Sequence, residues 1–423
     1  MGDSCGKIFT YLENAVSLSQ RKERYNIMKI LQVISSFPPA YSYGGALKNA
    51  HEISKQLVTD GHDVSVFTTD VFDVNSRLHY NKNPEIIDGI KVFHFNNINN
   101  ALARRNIPFA PSMFFGLRKG IKKFDIVHLH EYRSFHAMMV SFFAKRNRIP
   151  YVVQAHGSVL PIFEKQFLKK LFDAVWGNYI LKNASRVISL CESEAEQYRM
   201  MGVTENKVEI IPNGIDLSRF DDLPLEGTFK EKYDISSDEK IILFLGRIHK
   251  IKGIDLLIDA YCDLIEEVPD VRLVIAGPDD NFLSIIKDKI KLRKPRVSPL
   301  FTGPLYDQDK LEAYVDADIY VLPSRYETFP NTILEAWACG TPVVVTDGCQ
   351  IANIVQNAGL ISHFDAEELK GCIKSLLIDD AFRNKLGLAG KELVIDQFDI
   401  LLVTKKIEFV YQDLIAGCDM CSL

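Results

Sequence analysis

The stretch from Ser324 to Thr346, SRYETFPNTILEAWACGTPVVVT, places two glutamates, Glu327 and Glu335, eight positions apart. A carboxylate accepts two hydroxyl protons at once, so each of them suits a vicinal diol. Upstream, Arg247 and Lys252 stand in a short loop after the apolar run IILFL. Two cations so placed can hold an anion, each charge-assisted hydrogen bond adding roughly 1.5 to 3 kcal/mol. His156 closes the run YVVQAH immediately before Gly157 and Ser158, and the pair Gly44 and Gly45 precedes a helical pattern. Glycines at a strand-to-helix junction let a ligand approach backbone amides and the positive end of the helix dipole.

Those residues need elements to position them. The apolar run ADIYVLP, Ala317 to Pro323, reads as a strand, and a helix from about Pro330 to Ala338 follows it. Pro330 has its φ preset for a first turn, Asn331 or Thr332 can cap the free amides, and Gly340 stops the helix before the strand VVVT. That is a βαβ unit of a parallel sheet, and ligands sit at the carboxyl ends of such strands. The same pattern opens the chain's first half. A strand from Ile30 to Ser35 leads through SFPPAYSYGG to a helix with apolar Leu47, Ala50, Ile53 and Leu57, and DVSVFTT is the next strand. IKVFHF, FDIVHLH, YVVQAHG, ASRVISL and VEII continue the series, with an amphipathic segment after His156. His128 and His130 alternate on one strand and point the same way; lacking a third ligand, they are structural or crevice-lining.

The Glu-x7-Glu spacing, followed by Leu-Glu-Ala-x-Ala-Cys-Gly-Thr-Pro-Val, resembles the signature of the retaining GT-B enzymes of glycosyltransferase family 4. The resemblance implies an α/β architecture of two Rossmann-like domains facing each other across a cleft, with a C-terminal helix crossing back to the first. It implies that Glu327 contacts the transferred sugar, that Glu335 takes the ribose hydroxyls of a nucleotide, and that Arg247 and Lys252 grip the diphosphate as leaving group. His156 matches the family histidine close to the sugar. Gly44 and Gly45 match its glycine-rich loop at the donor phosphate, and Thr302 and Gly303 the backbone that meets the nucleobase. Asn331 and Thr332 would supply amides to the phosphate. The catalytic set is then His156, Glu327, Arg247 and Lys252, with no cofactor and no metal. The implied activity is retaining transfer of a sugar from a nucleotide-sugar to an acceptor hydroxyl, in polysaccharide or lipid-linked glycan synthesis.

The match departs from the family at Thr328 and Pro330, where glycines are usual, and Pro330 gives up an amide. Asp316-Ala-Asp318 spells a DxD metal motif, yet leads straight into the strand IYVLP and is a coincidence of spacing. The rivals are a non-hydrolysing sugar-nucleotide epimerase, whose acid/base residues have no candidates here, and a binding-only relative, which would have lost a charged contact.

The expected organisation is an extension over 1–27, a first domain over 28–216 closed by Pro212 to Asp216, a linker over 217–240, a second domain over 241–395, a crossover helix over 396–416 and a tail over 417–423. The eight cysteines are scattered, with one CxxC at Cys418 and Cys421, which fits reduced thiols in a cytoplasmic protein. No run of 18 apolar residues and no signal-peptide core is present. Residues 1–220 hold 28 Lys and Arg against 20 Asp and Glu, and residues 221–423 hold 22 against 35. A basic half faces something anionic. Within it, Arg104, Arg105, Arg118, Lys119, Lys122 and Lys123 surround Phe109, Met113, Phe114 and Phe115. Such a segment either seats on an anionic bilayer or lipid-linked acceptor at the inner membrane face, or is a solvated helix with a buried apolar side. Nucleic acid is a poor fit, since no binding module accompanies the charge.

Overall fold

The computed structural model describes residues 27–420 apart from 41–43, 74–75, 81–82, 100–107 and 162–164, and the backbone alone at 418–420. The expected extension, Arg104, Arg105 and the Cys418–Cys421 pair thus lie outside the described residues and side chains.

Two sheets organise the chain. The first contains β1 (Lys29–Val33), β2 (Asp63–Thr69), β3 (Glu85–Ile87), β4 (Ile90–Phe95), β5 (Ile126–His130), β6 (Tyr151–Gln154), β7 (Arg186–Ser189) and β8 (Val208–Ile210), in the order β3-β4-β2-β1-β5-β6-β7-β8. Every pairing is parallel except β3 with β4, an edge strand absent from the sequence reading. The second contains β9 (Lys240–Leu245), β10 (Val271–Ala276), β11 (Leu300–Gly303), β12 (Ile319–Leu322), β13 (Val343–Thr346) and β14 (Gly359–Ser362), all parallel, in the order β11-β10-β9-β12-β13-β14. Unbroken apolar runs such as KIILFL and VVVT form these strands because helices cover both faces of a parallel sheet.

Cores sit on both faces of the first sheet and around the second. The terminal helix Ile400–Met420 belongs to the first domain's core, not the second's. It inserts Ile400, Val403, Ile407 and Tyr411 beside Ala50, Ile53 and Leu57 of the Gly45–Thr59 helix. Glu408 also accepts from His62 Nε2 at 2.7 Å in a buried contact. The chain therefore passes between domains twice, and the two passages are bonded to each other: Ile215 N donates to Phe398 O and Ile400 N to Ile215 O, each at 2.9 Å. Gly214 permits this, since a Cβ there would lie 3.0 Å from the Ile400 Cα.

The stretch expected as a linker packs on the second domain. Phe229 and Ile235 are buried in that core, and the amides of Gly227 and Lys230 donate to the Asp316 carboxylate at 2.6 and 2.9 Å. Asp318 accepts from Ile241 N at 2.8 Å and faces Arg383. Both aspartates of the DxD spelling are thus occupied in tying backbone. Among the described residues, no helix is long and apolar enough to cross a membrane.

Candidate active site

At the carboxyl edge of the second sheet, a single turn after β9 holds the cations. Gly253 ends the Lys250–Lys252 turn at φ 66°, and a Cβ there would lie 1.8 Å from the Pro323 carbonyl oxygen. Only glycine lets the turn press against the end of β12. The consequence is an ion pair between Lys252 Nζ and Glu327 Oε2, with both side chains largely buried. The Glu327 backbone is fixed on the neighbouring loop: its N–H donates to Gly348 O at 3.0 Å, and Gln350 N donates to its carbonyl at 2.7 Å. Arg247 is half exposed and bonds Asp280 Oδ2 at 2.5 Å.

Glu335 is buried on the Asn331–Ala338 helix, and its carboxylate is the focus of a cluster. Lys48 Nζ of the first domain lies 3.1 Å from Oε1, Lys310 Nζ pairs with Oε2, and the Tyr314 hydroxyl donates to Oε2 at 3.2 Å. Burial alone would raise this carboxyl, but Lys310 and Lys48 outweigh it and hold it down to about 2. The Tyr320 hydroxyl, which donates to Thr332 Oγ1 at 2.7 Å, is pushed above its ordinary range by burial and then by both Glu327 and Glu335, so both carboxylates bear on one ring.

Neither Asn331 nor Thr332 caps its helix by a side chain, contrary to the sequence expectation. Asn331 Oδ1 accepts from Asn213 Nδ2 at 2.9 Å, and the Thr332 hydroxyl is taken by Tyr320. Tertiary partners compete successfully for both caps. Thr302 and Gly303 lie at the end of β11, where Gly277 N donates to Gly303 O at 2.8 Å and Gly303 has open space at its Cα.

The facing edge of the first sheet is neutral rather than ionic. His156, at φ 49°, places Nε2 2.9 Å from His130 Nδ1, and His130 Nε2 lies 2.8 Å from Gln32 Oε1. Gln32 Nε2 in turn donates to the Tyr411 hydroxyl at 3.4 Å, which lies 2.7 Å from His128 Nδ1. The partners dictate the protons. An amide oxygen only accepts, so His130 carries hydrogen on Nε2 and leaves Nδ1 bare; His156 then donates from Nε2, and its own Nδ1 is the free acceptor. Burial lowers His156 to about 4 and His128 to about 3, keeping the chain uncharged at neutral pH.

Two carboxyls frame this edge. Glu194 accepts from Gly157 N at 2.6 Å and Leu190 N at 2.7 Å, and burial pushes it up to about 7 despite those bonds. Glu131 accepts from Ser35 Oγ at 2.9 Å and is likewise raised by burial. Gly44, at φ 95°, begins the Gly45–Thr59 helix, and neither glycine of the pair has anything near its missing Cβ. Across the cleft, Gly157 meets Thr328: a Cβ at Gly157 would lie 2.2 Å from Thr328 Oγ1. The threonine that stands where the family has glycine is thus accommodated by a glycine in the opposite domain.

Residues 226–393 match the family model described as Glycosyl transferases group 1, and residues 43–219 match Glycosyltransferase Family 4. The solved Anabaena protein HepE in complex with UDP and glucose superposes with a TM-score of 0.73 over 91% of this chain and 100% of its own, at 18% identity. The chain is a GT-B glycosyltransferase of the family 4 kind. An uncharacterised glycosyltransferase of Methanocaldococcus jannaschii is 27% identical to it over 405 residues, 91% of this chain and 98% of the other. The phosphatidyl-myo-inositol mannosyltransferase of Mycolicibacterium smegmatis is 26% identical over 378 residues, 87% and 90% of the two.

For this glycosyltransferase, sequence reasoning named Lys252 and Glu327, which meet, and Arg247, which sits beside them on its own partner Asp280. It did not name Lys48, Lys310 and Tyr314 around Glu335, or Gln32 and Glu194 behind His156. The i, i+4 spacing of Lys310 and Tyr314 puts both on one helix face, a signal that became legible only once that face was seen to meet Glu335.

Proposed function

We propose that the protein is a retaining glycosyltransferase that moves a sugar from a nucleotide-sugar to an acceptor hydroxyl. The observation that carries this is the Lys252–Glu327 pair, held by Gly253 at the carboxyl edge of one sheet, opposite His156 and Gly157 at the carboxyl edge of the other. A diphosphate entering that edge meets Lys252, Arg247 and the first amides of the Asn331–Ala338 helix, whose positive dipole end points the same way. Charge grows on the departing diphosphate as the anomeric carbon–oxygen bond breaks, and cations already in place stabilise it without reorganising.

In this scheme Glu327 takes sugar hydroxyls and Glu335 the ribose diol, exchanging Lys48 for the two hydroxyls. The bare Nδ1 of His156 accepts a hydroxyl proton from the sugar. Gly44 and Gly45 receive the donor phosphate, and Thr302 with Gly303 the base. The acceptor oxygen bonds to the anomeric carbon on the face the diphosphate leaves, and its proton passes to the leaving phosphate oxygen. No side chain is assigned as base, and no metal is required by the donor set. The acceptor is a sugar or a lipid-linked hydroxyl.

The test is release of nucleoside diphosphate from UDP-, GDP- or ADP-sugars with and without an acceptor extract, followed by NMR of the product's anomeric proton. Acceptor-dependent release with the donor's configuration kept is the expected result. Inversion, or interconversion of the sugar without acceptor, overturns it.

A further inference from the structure

Beyond the loop that carries His156, the chain runs through a helix at Gln166–Phe172, a π turn at Asp173–Gly177 and a helix at Asn178–Asn183. None of the residues of Gln166–Phe172 is buried. Phe167 is 77% exposed and Trp176 45%, and Leu168, Leu171, Val175 and Tyr179 are exposed with them. Positions 167, 171, 175 and 179 recur at steps of four, so the apolar groups form one stripe. The stripe continues onto the Phe135–Asn147 helix, where Lys145 Nζ lies 5.0 Å over the Tyr179 ring and bonds Asn183 Oδ1 at 2.8 Å. From there exposed Phe142 packs on Phe143, and Phe143 on Phe114 of the Met113–Gly120 helix, with ring centroids 5.2 and 5.0 Å apart. Of the basic aromatic stretch seen in the sequence, Met113, Leu117 and Ile121 go to the core, and Phe114 and Phe115 remain outside.

Lysines and arginines outnumber acids in the segments that carry this stripe, with Glu164 and Asp125 at their ends. Lys170 and Lys182 belong to its segment, Lys145 lies over Tyr179, and Lys122 and Lys123 follow the Met113–Gly120 helix, while residues 108–124 and 135–148 contain no acid. Asp173, the acid of 165–183, is buried against Arg133 at 2.6 Å.

We propose that this face seats on an anionic lipid bilayer, the apolar stripe entering the acyl boundary and the lysines meeting headgroups. A second copy of the chain is a poor occupant. A two-fold contact would set the basic surface against itself, and lysine is depleted at protein interfaces. The face is also joined to the cleft. Arg133 Nη2 donates to Val159 O at 2.6 Å, Nη1 to Ser158 O, and the same guanidinium holds Asp173 at the base of the stripe. Docking would therefore bring the His156 edge to the membrane, where a lipid-linked hydroxyl would be the acceptor; this last step rests on the function proposed above.

The test uses the full chain and vesicles of phosphatidylcholine with or without phosphatidylglycerol. The chain has two tryptophans, and Trp337 is fully buried with Nε1 bonded to Ala358 O at 3.0 Å, so a blue shift of emission reports Trp176. Expected are co-sedimentation with the anionic vesicles, weaker at high salt, and a blue shift on binding. The double variant Phe167→Ser/Leu171→Ser should lower partitioning at least about tenfold with Tm unchanged. Lys170→Glu/Lys182→Glu should weaken binding to anionic vesicles alone. Absence of binding at low salt, binding indifferent to both double variants, or a concentration-dependent dimer that buries Trp176 overturns the proposal. Because partitioning is read without turnover, these outcomes are separate from failure of the transferase assay.

Discussion

The carboxyl edges of the two sheets face each other and are built on opposite principles. At the edge of the second sheet the acidic and basic side chains are already paired: Lys252 with Glu327, Arg247 with Asp280, and Lys310 together with Lys48 of the first domain with Glu335. On the first sheet the hydrogen-bonded chain running from Tyr411 through Gln32 and His130 to His156 is neutral, because burial lowers the histidines, and Glu194 and Glu131, both raised by burial, stand beside it. The contrast matches the parts of the proposed reaction. A diphosphate needs standing charge, which costs less to desolvate when it is paired in advance. A sugar or acceptor hydroxyl needs a directed lone pair that does not change its charge near neutral pH.

The largest test of the ionic side is Glu327→Ala, expected to lower kcat/KM about 10²- to 10³-fold, with Lys252→Ala mainly weakening nucleotide binding. Because the two side chains are paired, a double-mutant cycle should show the combined variant losing less than the sum of the single losses. Strict additivity would mean that they act apart.

On the neutral side, Gln32→Leu should lower kcat about tenfold, the worth of one buried hydrogen bond, with the KM for donor little changed. Gln32→Glu still accepts from His130 Nε2 and should restore most of the rate. Nitrogen-15 spectra of the histidines report the tautomer directly: a His156 protonated on Nδ1 in the native protein would refute the chain of donors.

Glu194 supplies a pH signature. Its folded pKa lies above the ordinary 4.5, at about 7, so the folded state holds a proton that the unfolded state has released between those values. This group's contribution to stability is therefore fully present below about pH 4.5 and is lost as pH rises through about 7. The Gly157 amide, bonded to that carboxylate, should titrate with a midpoint near 7, and Glu194→Gln should abolish the titration. An amide shift flat from pH 5 to 9 would show that the carboxyl does not ionise there.

The smallest expected effect is that of Lys48→Ala. Lys48 is one-third exposed and Glu335 keeps Lys310 and Tyr314, so stability should change by less than about 1 kcal/mol. Nucleotide affinity by calorimetry should rise no more than about threefold. A large loss of affinity would make Lys48 a ligand-binding group instead of a placeholder.

Much of this architecture was readable along the chain, because a strand buried on both faces of a parallel sheet must be a run of apolar residues. The βαβ unit around Glu327 and Glu335, the turn carrying Arg247 and Lys252, and the terminal helix were legible for that reason. The edge strand Glu85–Ile87 was not, being three residues long and only partly buried. The caps expected at Asn331 and Thr332 do not form because Asn213, 118 positions away, and Tyr320, on the preceding strand, hold those side chains. The exposed stripe from Phe167 to Tyr179 showed as an amphipathic segment; that its apolar side faces outward could not be told from period alone, since a core-facing helix has the same period.

Local rules thus determined which residues stand at strand ends: periodicity placed the strands, glycines placed the turns, and the carboxyl ends of parallel strands are where backbone and side chains open toward a ligand. Tertiary structure alone decided which of those ends meet. That Glu335 finds Lys48, that His156 leans on a chain ending in Tyr411, and that Thr328 fits over Gly157 depend on two domains held by paired crossings at Ile215 and Ile400. Contacts made between residues hundreds of positions apart leave no periodic trace in the chain, because burial and pairing energies depend on distance in space and not along the backbone.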